Sequence, residues 1–242
     1  MDDFERFEEL VNGRYHCISI VTYEERYALE IVRQAALGLK RDMWIWSASE
    51  GVREGLLEGS ASVAGTDTAA AGLANLAGAK PGSICVTLDL ADHLKSGKAL
   101  RILRDIIDSF DKTGITIVMI DSEDNLPEVI KSYSRPFELS FPDEKELLEI
   151  IRATLQRIHR KKPIEVGISQ KGLDTIVRNL RGLTRRQAVR IISDTVAGNF
   201  RFDDDDINVV IAGKRRIIQR GGAARIYPDA ARPERDRRYE AS

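Results

Sequence analysis

The chain has 242 residues, of which 31% are charged and 43% are hydrophobic, and its formal net charge is -1. This composition is typical of a soluble globular protein, and the length predicts one large domain, alone or with a smaller second domain. The apolar runs, such as 117–120, are far shorter than the ~18 residues that a membrane-spanning helix needs. The acidic start argues against a secretory signal, and the near-neutral charge argues against attraction of the whole protein to nucleic acid or an anionic membrane.

Cys17 and Cys85 are the two cysteines of the sequence, and each lies within an apolar, β-branched run. Such positions are typical of buried thiols in a reducing compartment, so we expect a cytoplasmic protein. A zinc site needs His and Cys ligands clustered at short spacing. Because His16, His93 and His159 are scattered along the chain, the sequence predicts no metal site.

Strands and helices alternate over the first 141 residues. The pattern predicts, in chain order, a short helix around 4–11, a strand at 15–22, a helix at 24–37 ended by Gly38, a strand at 43–46, a helix at 67–77 capped by Thr66 or Asp67 and closed by Gly78, a strand at 84–90, a helix at 99–110, a strand at 115–120 and a short strand at 137–141. Such alternation indicates βαβ units, so we predict an α/β fold with a parallel sheet covered by helices on both faces.

The pattern becomes helical after Pro142. Helices are predicted at 143–158, 170–180, 184–197 and 203–219, with one short strand pattern at 164–166. We therefore predict an α/β domain over 1–141, a small all-helical domain over 142–220 and a basic tail or linker over 221–242. Residues 213–239 hold nine basic and three acidic side chains, a net charge of +6 that leaves -7 for the rest of the chain. The Pro-, Arg- and Asp-rich composition beyond Tyr227 predicts disorder.

The first strand-to-helix connection is where an α/β nucleotide-binding protein places its phosphate loop, with the pattern G-x-x-x-x-G-K-[ST]. Thr22, Tyr23, Glu24 and Glu25 occupy this connection, which contains neither glycine nor lysine. A carboxylate ~5 Å from a phosphate charge opposes binding by roughly 3 kcal/mol at an effective dielectric constant of ~20. The sequence therefore predicts a degenerate phosphate loop (Walker A motif) and no nucleotide cofactor.

Other polar residues stand at strand ends and at the start of a later helix. Asp89 follows the third strand, where a nucleotide-hydrolysing enzyme holds magnesium, and Asp92 is the next acid along the chain. Ser122 follows the fourth strand and could sense a phosphate, while Arg185 and Arg186 open a helix and could reach a nucleotide. Each also has a plainer interpretation. The residues at the strand ends could simply cap the loops that follow, and the arginines could lie on a solvent-exposed face of the helix. The sequence assigns no catalytic residue.

The order of these elements resembles the AAA+ ATPase architecture, in which an α/β domain is followed by a helical lid. The segment 137–147, FELSFPDEKEL, looks like the junction with the lid, and 182–188 looks like the start of the lid's sensor helix. More narrowly, the chain resembles the degenerate N-terminal module of the uncharacterised AAA proteins first noted as conserved plastid reading frames (ycf-type). The segments that carry this resemblance are 19–25, 43–47, 125–127 and 214–227.

The resemblance implies a three-layer P-loop-NTPase-like fold with a helical lid. It places Asp89, with Asp92 nearby, at the magnesium-binding (Walker B) position and Ser122 at the first sensor position, with Arg185 or Arg186 near the second sensor. In the plastid-reading-frame proteins the degenerate module precedes an ATPase-competent one, so the resemblance implies the fold without implying ATP hydrolysis.

We therefore predict a noncatalytic AAA+-like module without cofactors. It would act in assembly or regulation through protein-protein contacts, with a separate active AAA+ ATPase or with itself as partner. One alternative is a divergent AAA+ ATPase that uses ATP and magnesium through Asp89, Asp92 and the lid arginines. The other is a nucleic-acid binder that uses the lid and the basic tail.

Overall fold

The computed structural model of the protein describes residues 2–57, 59–95 and 97–221. The chain divides into two compact units, Met1–Ser140 and Phe141–Ser242. Except for Gly221, the predicted basic tail lies outside the described residues. Within the described ranges, no helix is both long enough and apolar enough to cross a bilayer.

The first unit is built on a mixed sheet. Its elements are α1 (Asp3–Asn12), β1 (Cys17–Val21), α2 (Glu25–Gly38), β2 (Met43–Ser47), β3 (Gly51–Glu54), α3 (Ala69–Ala77), β4 (Ile84–Leu88), a 3-10 turn (Ala91–His93), α4 (Gly97–Asp108), α5 (Phe110–Thr113), β5 (Thr116–Asp121), α6 (Glu128–Lys131) and β6 (Arg135–Pro136). The strand order across the described sheet is β3-β2-β4-β5-β1-β6. Neighbouring strands run parallel except β2 and β3, which run antiparallel. The predicted α/β fold class is confirmed.

Helices cover both faces of this sheet because alternate side chains of each strand point to opposite sides. One face packs the side chains of Cys17, Cys85 and Ile117 against α3 and α4. The opposite face packs those of Ile18 and Val118 against α1 and α2. Burial raises the pKa of both cysteine thiols to about 12, so they stay protonated at neutral pH.

The hairpin at one edge of the sheet was not predicted. Strand β3 follows a turn in which Gly51 takes a left-handed backbone conformation with φ of 71°. A Cβ atom on Gly51 would lie 2.6 Å from Oγ1 of Thr66. That hydroxyl accepts a hydrogen bond from the backbone N–H of Val52 at 2.8 Å, and the carbonyl of Thr66 accepts one from Nε1 of Trp46 at 2.8 Å. The hairpin is therefore held by contacts with a residue that is distant in sequence.

Several predicted boundaries in the first unit were wrong. Helix α3 is capped by Thr68, whose hydroxyl accepts a hydrogen bond from the N–H of Ala71 at 3.3 Å, so neither Thr66 nor Asp67 is its cap. Helix α2 ends at Gly38 itself, and Leu39 is its C-cap. The last strand is Arg135–Pro136, so the strand predicted at 137–141 lies two residues too late.

The second unit consists mainly of helices. Its elements are α7 (Glu144–Lys161), β7 (Glu165–Val166), α8 (Gln170–Leu180), α9 (Arg185–Ala197), β8 (Arg201–Phe202) and α10 (Asp206–Gly221). Hydroxyl and carboxylate caps begin α7, α8 and α9 at Asp143, Ser169 and Thr184. The apolar faces of these helices form one core around Ile176, Ile192 and other buried side chains. The prediction of an all-helical unit needs one correction, because β7 and β8 form a two-residue parallel pair.

Candidate functional site

The carboxyl ends of β4, β5 and β1 lie side by side because these strands are neighbours in the sheet. The N–H of Thr22 donates to the carbonyl of Asp121 at 2.9 Å, and the N–H of Asp89 donates to that of Ile120 at 2.9 Å. Three connections therefore meet at one place. We call this place the acidic edge and define it as residues 22–25, 89–92 and 121–124.

The first connection of the acidic edge contains a local hydrogen bond between a side chain and the backbone. Oγ1 of Thr22 accepts a hydrogen bond from the N–H of Glu24 at 2.9 Å. Tyr23 is 65% exposed, and Glu24 is the N-cap of α2 without a side-chain capping bond. Burial raises the pKa of Glu25, and the nearby charge of Asp89 raises it further. The first turn of α2 therefore carries the carboxylate of Glu25.

Asp89 and Ser122 are brought together at the ends of β4 and β5. Oδ1 of Asp89 accepts hydrogen bonds from the N–H of Ser122 at 3.2 Å and from its hydroxyl at 3.1 Å. Asp89 has a φ of 48°, in the left-handed region that non-glycine residues seldom adopt. Asp92 lies on the next turn, with an exposed carboxylate 3.9 Å from Nζ of Lys95.

Asp121 is the buried member of the acidic edge, and sequence reasoning did not single it out. Its side chain is 3% exposed, and Oδ1 accepts a hydrogen bond from the N–H of Ala91 at 2.9 Å. Oδ2 is buried and has no hydrogen-bond partner within the described residues. Burial raises the pKa of Asp121 to about 6, against the lowering effect of the Ala91 N–H, and the charges of Asp89, Asp92 and Asp124 add to the rise. The available signal in the sequence was its position at the end of an almost wholly apolar strand.

The two candidate arginines lie in the second unit. Arg185, the first residue of α9, is held by Glu146 of α7 through a two-point ion pair in which Nη2 lies 2.8 Å from Oε2. Its side chain is 12% exposed. Arg186 is exposed on the next position of α9. Among the described residues, no group of three or more His, Cys, Asp and Glu side chains has an arrangement that could hold a metal ion.

Comparison of the sequence with protein-family models gives two adjoining matches. The model for the N-terminal domain of SpoVK-like AAA ATPases matches residues 4–138, and the model for their second domain matches residues 145–221. The chain belongs to the SpoVK-like AAA ATPase family. The predicted membership of the AAA+ superfamily is thereby confirmed. No curated protein sequence matches the chain.

The SpoVK-like chain is also similar to solved AAA+ structures. The FIGL-1 AAA domain has a TM-score of 0.58 at 10% identity, over 88% of this chain and 78% of that one. The same domain in complex with ADP has a TM-score of 0.55 at 13% identity, over 92% and 74%. RuvB of Thermotoga maritima, described as a Holliday junction branch migration motor, has a TM-score of 0.54 at 16% identity, over 86% and 67%. At these identities the similarity shows the P-loop NTPase fold alone.

Proposed function

We propose that this chain is a noncatalytic AAA+-like module with a degenerate Walker A motif. It acts in assembly or regulation through protein-protein contacts, with a separate active AAA+ ATPase or a second copy of itself as partner. We also propose that the chain is of the same kind as the degenerate N-terminal module of the plastid-reading-frame (ycf-type) AAA proteins. Family membership supports the fold on which this proposal rests, and the connection between β1 and α2 supports the absence of catalysis.

The observation that carries the proposal is the acidic connection at residues 22–25. A phosphate loop surrounds phosphate with backbone N–H groups, and such anion-binding nests include left-handed residues. None of residues 22–25, all of which the structure describes, has a positive φ. Glu24 and Glu25 also place negative charge at the helix terminus, where the dipole otherwise attracts an anion. One carboxylate ~5 Å from a phosphate charge weakens binding by roughly 3 kcal/mol, or on the order of a hundredfold.

Two carboxylates at the strand ends of the acidic edge already accept hydrogen bonds from neighbouring groups of the chain. Asp89 directs Oδ1 to Ser122, and Asp121 directs Oδ1 to the N–H of Ala91. Within the described residues these carboxylates do not join a group of three or more His, Cys, Asp and Glu side chains that could hold a metal ion. This supports a site that has kept the fold of a nucleotide-binding protein without its ligand chemistry.

Isothermal titration of the full chain with Mg-ATP tests the proposal. We expect no saturable binding tighter than about 1 mM, which corresponds to roughly 4 kcal/mol of binding free energy. The variant Glu24→Ala/Glu25→Ala removes the two carboxylates, and Glu138→Ala/Glu149→Ala removes two exposed carboxylates elsewhere as a matched control. Micromolar binding by the wild-type chain overturns the proposal. Because the loss of two repelling carboxylates should strengthen any residual nucleotide binding, an unchanged affinity in Glu24→Ala/Glu25→Ala would show that these carboxylates do not control the site.

The alternative, a divergent AAA+ ATPase, is consistent with the family description. It makes a separate prediction, which is the release of phosphate from ATP that disappears in Asp89→Asn. An unchanged low rate in Asp89→Asn would assign the release to a contaminant. Absence of any release supports the noncatalytic module.

A further inference from the structure

A hollow of about 270 Å³ lies in the second unit, beside the C-terminal half of α7 and strand β7. Its apolar lining comes from Leu155, Ile164 and Val166. Ile164 is buried and Leu155 is half-buried, whereas Val166 is 57% exposed, so an incoming group can reach the apolar lining from solvent. Pockets for small-molecule ligands usually measure ~300–1,000 Å³. The hollow is therefore small for a cofactor, and it suits an aliphatic side chain.

The polar part of the lining comes from one face of α7. Gln156, His159 and Arg160 line the hollow, and residues three or four positions apart share a face of a helix. Nδ1 of His159 accepts a hydrogen bond from the N–H of Ile164 at 3.2 Å, so Nε2 carries the proton of the neutral imidazole. Amide, imidazole and guanidinium groups therefore offer hydrogen-bond donors to an occupant of the hollow.

This half of α7 also carries positive charge that the described residues do not neutralise. Residues 152–162 include no Asp or Glu and five basic side chains, which are Arg152, Arg157, Arg160, Lys161 and Lys162. Within the described residues no ion pair reaches any of the five, although Nζ of Lys162 lies 3.4 Å from the ring centre of Phe200. A helix dipole favours basic side chains within the last turn only, so it does not account for Arg152 and Arg157. We call this surface, residues 152–166, the basic hollow.

The charge and the apolar lining together identify the class of occupant. Nucleic acid has the negative charge, but single-stranded bases are held by stacking on aromatic rings, and the described lining residues include no Phe, Tyr or Trp. An acidic segment of a protein brings carboxylates and an aliphatic side chain at once. Charge complementarity and the apolar lining therefore favour such a segment.

We propose that the basic hollow docks an acidic segment of another protein. One aliphatic side chain of that segment enters the hollow beside Leu155 and Val166, and carboxylates on either side of it meet Arg160 and Arg152. Arg152 lies four residues before Gln156, on the same face of α7. This contact rests on the proposed function, because it gives the chemistry of a partner for a module that acts through protein-protein contacts.

Fluorescence anisotropy of the full chain with the labelled peptide Gly-Glu-Glu-Leu-Glu-Glu-Gly tests the contact. We expect a Kd on the order of 100 µM in ~50 mM salt, and binding weaker by about threefold or more in ~300 mM salt, because salt screens exposed charges. The same peptide with serine in place of leucine should bind roughly tenfold more weakly, because the hollow then receives no aliphatic side chain.

Two variants of the chain locate the binding surface. Arg152→Glu/Arg160→Glu reverses two charges, and Val166→Asp places a carboxylate in the apolar lining, so each should weaken binding of the leucine peptide by roughly tenfold or more. Lys145→Glu/Lys171→Glu makes the same change of charge at exposed positions elsewhere in the second unit and should leave binding near the wild-type value.

A peptide of opposite charge shows that the charge-reversed variant is folded. Gly-Lys-Lys-Leu-Lys-Lys-Gly should bind Arg152→Glu/Arg160→Glu more tightly than it binds the wild-type chain, because the reversed side chains then attract it.

Four outcomes overturn the docking proposal. They are no saturable binding of the leucine peptide up to about 1 mM, equal binding of the serine peptide, equal loss in Arg152→Glu/Arg160→Glu and its lysine control, and tighter binding of single-stranded DNA than of the leucine peptide. The last of these would assign the surface to nucleic acid. The Mg-ATP titration tests the proposed function separately. A chain that binds neither ATP nor the peptide overturns only the docking contact, whereas micromolar ATP binding overturns the proposed function whatever the peptide does.

Discussion

Replacing Asp121 by asparagine removes a charge that folding buries. The pKa of this carboxyl rises from 3.8 to about 6 because the side chain is 3% exposed and three carboxylates lie nearby. A rise of about 2 pKa units corresponds to roughly 3 kcal/mol between the protonated and ionised folded states. The folded chain holds this proton more tightly than the unfolded chain. The stability it contributes is therefore complete below pH 3.8 and is lost as the pH rises to about 6.

The variant Asp121→Asn should therefore be more stable than the wild type by about 1–3 kcal/mol at pH ~7.5, with the difference shrinking toward zero as the pH falls to about 4. Asparagine keeps an acceptor oxygen for the N–H of Ala91 and carries no charge to desolvate. Urea unfolding across this pH range, followed by tryptophan fluorescence, measures the difference. Asp108→Asn, on an exposed position of α4, is the matched control. Parallel pH profiles for wild type and Asp121→Asn, or a less stable Asn variant at neutral pH, would refute the reasoning.

Two further substitutions test the packing of the first unit by the free energy of unfolding. Gly72→Ala should destabilise by about 1–3 kcal/mol, because its Cβ would lie 2.1 Å from the indole of Trp46, whereas Gly97→Ala, with nothing within 4 Å, should be near neutral. Equal effects of the two glycine substitutions would count against this packing argument. Asp3→Ala should cost about 2–4 kcal/mol, because the 2%-exposed carboxylate accepts a hydrogen bond from the N–H of Ser140 at 2.9 Å. A loss below ~0.5 kcal/mol would show that this contact across the chain adds little.

The central strands could be predicted from sequence because their local pattern and their final environment agree. Strands β4 and β5 are almost continuously apolar, as strands covered on both faces are. Strand β3, with the sequence GVRE, has no such pattern and exists because it pairs with β2. Strand β6 contains Pro136 and was placed two residues late, since the apolar Phe137 beyond it packs in the core without belonging to the strand. Edge strands depend on their partners more than on their own residues.

In the candidate site, too, some features follow from the local sequence and others depend on tertiary packing. The parallel order of the strands was enough to bring Asp89 and Ser122 to one edge of the sheet, as the sequence suggested. The burial of Asp121 could not be predicted, because it depends on the turn at Ala91 that covers it. The ion pair between Arg185 and a glutamate 39 residues away depends on the packing of two helices, and no local spacing indicates it.

The two borders of the sheet limit how this protein can associate. Beyond β3, the N–H of Val63 already donates to the carbonyl of Val52 at 2.7 Å, and Ser62 bridges to Arg53, so that border is occupied by the chain itself. The opposite border, β6, is two residues long and includes a proline, which has no N–H to offer an incoming strand. Strand addition, the common route to amyloid-like growth, is therefore disfavoured at both ends, and partners must recognise this molecule by its side chains.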